Sequence, residues 1–191
     1  KSVVTDMLKL RQKYGATVIC LQHINIAQQS FLHKNLKREF AKKGLDFILR
    51  SYSVADQKHE SRTTGKGVAI IAPSAMVKPG SMDPAESSIN KASDPLTYGY
   101  YVGVILEVGS GTRFHVMSVY HPVTSSQNTE ARPAVNAIVN ERIHQVRTDN
   151  ARIGTVVGTD ANAVLDPKRD TLHGTHIGRK ASFLRALMVK Q

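Results

Sequence analysis

The chain has 191 residues, of which 41% are hydrophobic, enough to build a core and to exclude wholesale disorder. No apolar run approaches the roughly 20 residues of a membrane-spanning helix, and no signal-peptide pattern opens the chain. The formal net charge of +11 favours polyanionic partners, nucleic acid ahead of an anionic membrane surface, although basicity alone identifies no ligand.

Val3, Met7, Leu10 and Tyr14 follow helical spacing, and Gly15 is placed to end that helix. "TVICLQ" then reads as a short buried strand. Its Cys20 is the single cysteine, so no internal disulfide is available, and a buried inert thiol in a reducing setting is expected. "AQQSFLHKNLKREFAKKG" reads as a second, basic helix closed by Gly44, with an irregular surface segment as the alternative. "LDFILRSYS" and "GKGVAIIAP" read as strands, the latter stopped by Pro73. From Pro73 to Pro95 the composition of Pro, Gly, Ser and Asp predicts a long loop or insertion.

"YGYYVGVILEV" and "TRFHVMSVY" read as strands joined by "GSG" in a hairpin. Val135, Ile138, Val139, Arg142, Ile143 and Val146 form a helical stripe with one polar member. A strand is predicted at Thr155 to Val157 and a final helix from Arg179 to Val189. The order is αβ, a run of strands, then αβα. It fits mixed sheets with helices on their outer faces better than a doubly wound parallel sheet.

Chemistry concentrates at the ends of predicted strands. Asp160 and Asn162 follow an apolar run, and alternation puts residues i and i+2 on one side of an extended segment. A carboxylate there can deprotonate water, and a carboxamide can steady an anionic oxygen. Both residue types are also common turn formers. Tyr120 closes a strand that Pro122 forbids to continue, where a phenol can bind phosphate or simply pack at the sheet rim. His121 is expected to point to the other side. His23 also sits at a strand end, where a lone histidine is more often structural. "HGTH", His173 to His176, has metal-ligand spacing, but Gly174 and Gly178 argue against the helix it needs. "TTGKGVA" lacks phosphate-loop spacing, and "GSGTR" serves well as a hairpin turn. No nucleophilic Ser or Cys has a placed His/Asp pair.

Four segments taken in order resemble the endonuclease/exonuclease/phosphatase family, which includes AP endonucleases and deoxyribonuclease-like enzymes. "ATVICLQH" resembles its "pDvicLQE" segment, and "GKGVAIIAP" its "gGvaiiv" strand. "FHVMSVYHP" resembles "nvYaP", and "IGTVVGTDANAVLDPKRD" resembles "viiGGDFNavldp". The "NAVLDPKRD" continuation is closest to the retrotransposon endonuclease branch, which nicks DNA to prime reverse transcription. The resemblance spans about Ser2 to Leu187.

The resemblance implies an α/β (α+β) four-layer sandwich of two mixed sheets flanked by helices, and phosphodiester hydrolysis with Mg²⁺ or Mn²⁺. It implies that Asp160 activates water, that Asn162 steadies the transition-state phosphate and that Tyr120 contacts the scissile phosphate. DNA is the implied partner, gripped through its backbone, with a reverse transcriptase domain in the same full-length chain as a further one. An intracellular, non-secreted setting follows, with the nucleus as one candidate compartment. His23 stands where the family has a metal-holding Glu. Thr159 replaces a Gly, and Ala161 an aromatic residue. The first strand with its Asn, and the closing Ser-Asp-His segment, are expected before Ser2 and beyond Gln191. Residues 1–191 therefore read as one domain truncated at both ends. Two alternatives stand beside the endonuclease: a degenerate nucleic-acid-binding relic, and an inositol or lipid phosphatase sibling.

Overall fold

A computed structural model describes residues 3–24, 26, 30–51, 67–82, 99–109, 111–121, 131–149 and 153–160. Helix α1 (Val3–Tyr14) carries Asp6 in its first turn and Arg11 and Lys13 in its last, matching the helix dipole. Arg11 Nε donates to Ala16 O at 3.0 Å, which ties down the turn into strand β1 (Ile19–Leu21). Helix α2 (Phe31–Ala41) starts where Ser30 Oγ accepts from the backbone N–H of His33 at 3.1 Å, supplying one of the bonds that a helix start lacks. Strands β2 (Leu45–Ser51) and β3 (Gly67–Pro73) follow, then a 3₁₀ turn (Ser74–Met76) and β4 (Val77–Met82). The hairpin β5 (Tyr101–Val108) and β6 (Thr112–Tyr120), helix α3 (Ala131–Asp149) and strand β7 (Gly154–Asp160) complete the described elements.

The strands form two sheets, one ordered β1-β3-β2 and one ordered β4-β5-β6-β7. Side-chain alternation then builds four layers. Leu45, Phe47, Leu49, Ala69 and Ile71 face outward from the first sheet and bury Val4 of α1 and Leu36 and Phe40 of α2. Val68, Ile70 and Ala72 of β3 face inward, against Val102, Val104 and Leu106 of β5 and Val116 of β6. On the far side Tyr101, Met117 and Val119 receive Val135, Ile138, Val139 and Ile143 of α3. Each such fully buried aliphatic side chain stabilises by about 1.5–3 kcal/mol over its exposed state. The order is therefore helix, sheet, sheet, helix. No helix among the described residues is long and apolar enough to cross a membrane.

Three sequence expectations need correction. Among the described strands the first sheet is antiparallel, and the second is mixed through the parallel pair β6 and β7. The stretch after Pro73 is not all loop: it holds the 3₁₀ turn and β4, whose Val77 and Met82 pair with Leu106 and Val104. Pro79 and Gly80 hide that strand in the sequence, yet a bulged strand at the end of the sheet order tolerates both. The strand predicted at Thr155 to Val157 runs to Asp160, because β6 offers partners along that whole length. The helix expected at Arg179 to Val189, the "HGTH" segment and Asn162 lie outside the described residues.

Candidate functional site

Three strands end at one edge of the two-sheet core. β1 runs into Gln22 and His23, β6 ends at Tyr120, and β7 ends at Asp160. The parallel register sets Tyr120 opposite Asp160, two residues beyond the pair Ser118 and Gly158. Alternation turns all four toward the layer between the sheets. His121 N–H donates to Asp160 O at 3.0 Å, carrying the ladder one step past β6. Asp160 is exposed, and Tyr120 is half-buried.

A side-chain clamp fixes the end of β1 to the second sheet. Gln22 Nε2 donates to Ser118 Oγ and to Gly158 O, each at 3.1 Å, and Ser118 Oγ donates to Leu21 O at 3.0 Å. Ser118 is fully buried, so these bonds supply its polar needs. The approach is close enough to demand glycine at two positions. A Cβ on Gly158 would lie 2.5 Å from Cys20 Cβ and 2.7 Å from its Sγ. A Cβ on Gly67 would lie 2.5 Å from Ile24 O, whose own N–H donates to Gly67 O at 2.8 Å. Burial pushes the Cys20 thiol up from its ordinary range, against a smaller opposing hydrogen bond at Gly158, which fits an inert role.

His23 turns the chain out of the clamp with φ of 56°, a left-handed backbone unusual outside glycine. Its ring stacks on Tyr120 with centroids 5.4 Å apart and planes at 21°. Tyr120 in turn stacks on Tyr100 at 5.9 Å and 19°. Tyr120 N–H also donates to Tyr100 O at 2.8 Å, so backbone and ring hold the pair together.

His121 points to the opposite face, as alternation requires, and is almost fully buried. Its Nδ1 shares a hydrogen bond with Thr159 Oγ1 at 3.1 Å. Burial, aided by the Arg132 charge, lowers its pKa to about 4; a hydrogen bond with Asn136 and the Asp160 charge oppose the shift. His121 is therefore neutral near pH 7 and acts as a fixed strut behind Asp160.

The structure thus brings together Asp160, Tyr120 and His23. Sequence reasoning did not single out Gln22, Ser118 or Tyr100, and it noted Thr159 only as a replacement for a Gly. Gln22 had a signal, a polar residue closing an apolar strand, and so did Ser118, a hydroxyl at the inward position between Val116 and Tyr120. Asp160 is a carboxylate able to take a proton from water, and Tyr120 carries a phenol that can bond a phosphate oxygen. Among the described residues no group of three or more His, Cys, Asp or Glu side chains meets to hold a metal ion. Mg²⁺ demands an octahedron of oxygen ligands. Asp160 offers carboxylate oxygens of that kind at this edge.

Positive charge is prominent on α2 and just past its end, where Lys34, Lys37, Arg38, Lys42 and Lys43 are exposed. Toward the opposite end of the inter-sheet layer lies an apolar cavity of about 410 Å³, lined by Val18, Cys20, Leu106, Phe114, Val116 and Val156 among others. Its apolar walls suit no phosphate. No family model matches the chain, and no curated protein matches it.

Proposed function

We propose that this chain is a phosphodiesterase domain acting on nucleic acid, of the endonuclease type that its segments resemble. The observation that carries the reading is the register pair Tyr120 and Asp160 at one edge, with His23 stacked on that tyrosine. Strands from three of the four resembling segments run into this edge, at His23, Tyr120 and Asp160, positions to which the resemblance gives a role. In this reading Asp160 takes a proton from the attacking water. Tyr120 donates its phenolic hydrogen to an oxygen of the scissile phosphate, and Asn162 steadies the same group. Water adds to phosphorus as the bond to the sugar oxygen breaks, and that oxygen leaves as a hydroxyl with a proton taken from solvent. The exposed lysines and arginine of α2 contribute to a sequence-independent grip on the backbone. Mg²⁺ or Mn²⁺ belongs to the proposal through the resemblance alone. A retrotransposon setting, with a linked reverse transcriptase and a nuclear DNA target, is the specific form of it.

A second reading is a nucleic-acid-binding relic without catalysis. The position of His23 favours it, since an imidazole stands where the family has a carboxylate. The test is conversion of supercoiled plasmid to nicked circles in Mg²⁺ or Mn²⁺, against an EDTA control, beside phosphate release from inositol phosphates. Metal-dependent nicking supports the endonuclease. Release from inositol phosphates alone moves the chain to the phosphatase siblings. Plasmid binding without nicking, unchanged in His23→Glu, supports the relic.

A further inference from the structure

Tyr100, Tyr120 and His23 form a ladder of three near-parallel rings that climbs from the core to the surface. Tyr100 is buried, Tyr120 half-buried and His23 exposed. The upper rung is held in a backbone conformation that costs a non-glycine residue on the order of 1 kcal/mol. Such cost persists where surrounding structure fixes it, and here the Gln22 clamp and the stack on Tyr120 do so. The result is a flat, rigid ring at the solvent end of the ladder, beside the strand end that carries Asp160.

We propose that His23 is a stacking platform for an unpaired nucleobase next to the phosphate engaged at Tyr120 and Asp160. The substrate class is nucleic acid with a single-stranded or frayed stretch at that point. The chemistry is general: every base has a π-face, so an aromatic platform takes any sequence, while a regular duplex keeps its base faces inside the stack. The inference rests on the nucleic-acid half of the reading above.

The test is fluorescence anisotropy on the intact chain in EDTA, so that no metal contributes. The probes are a labelled single strand of about 12 nucleotides, within the span of single-strand grooves, and the same sequence as duplex. His23→Ala is expected to weaken single-strand binding by about 5- to 100-fold and duplex binding by less than about twofold. His23→Phe keeps a ring face without nitrogen donors and is expected to stay within about threefold of the unmodified chain on both probes. Circular dichroism melting confirms that each variant is folded. Unchanged single-strand affinity in His23→Ala, equal loss on both probes, or a His23→Phe loss matching His23→Ala overturns the platform. A chain that shows the expected selectivity but nicks no plasmid keeps the platform and loses the phosphodiesterase. A chain that nicks plasmid while His23→Ala binds both probes normally does the reverse.

Discussion

Tyr120 and Asp160 are the last partners of the parallel register that begins at Phe114 and Gly154. A parallel pair advances both strands in the same direction, so both end at the same edge with matching side-chain faces. A phenol and a carboxylate on one face need no loop geometry to meet. Tyr120→Phe isolates the hydroxyl, because the ring and its stacks on His23 and Tyr100 remain. Plasmid nicking should fall on the order of 10²-fold, the usual cost of one donor to a developing charge, with the melting temperature unchanged.

Ser118 is the hinge of the clamp, accepting from Gln22 and donating to Leu21 O. Ser118→Ala removes a partner from Leu21 O and leaves Gln22 Nε2 with Gly158 O alone. Urea denaturation should show a loss of about 1–3 kcal/mol, seen as a lower midpoint at constant slope.

Gly158 is required by the closeness of Cys20. Gly158→Ala should cost about 1–3 kcal/mol through overpacking. Cys20→Gly removes the atoms in conflict, so the double variant should lose less than the sum of the two single losses. A double-mutant cycle by denaturation measures that coupling.

His121 makes stability depend on pH. Its folded pKa is about 4 against an ordinary 6.5, so the unfolded chain binds the proton first as the pH falls. The contribution is complete above about pH 6.5 and is lost as the pH drops toward 4. It totals on the order of 3 kcal/mol if the full shift is realised. The charges of Asp160 and Arg132 act on the same ring with opposite effects, so the limb belongs to His121 only where His121→Gln flattens it. Denaturation midpoints between pH 7.5 and pH 4 of both proteins decide this.

Much of the fold was legible because its signals are local. The hairpin of β5 and β6 announces itself through alternating apolar residues and a glycine turn, and α3 through a stripe from Val135 to Val146. Asp160 and Tyr120 were legible as polar residues closing apolar runs. β4 was not, because Pro79 and Gly80 break its pattern while its pairing partners come from β5, far along the chain. The antiparallel order of the first sheet was equally hidden, since three residues of β1 say nothing about direction. The stack of His23 on Tyr120 joins residues 97 positions apart, and only the register of the two sheets brings them together.

The central claim is that Asp160 activates water at this edge. Purified chain should convert supercoiled plasmid to nicked circles in Mg²⁺. Asp160→Asn keeps shape and hydrogen bonding but cannot take the proton, and its rate should fall by about 10²- to 10⁴-fold with DNA binding unchanged. Nicking by Asp160→Asn at the rate of the unmodified chain, or no nicking by either, contradicts the account.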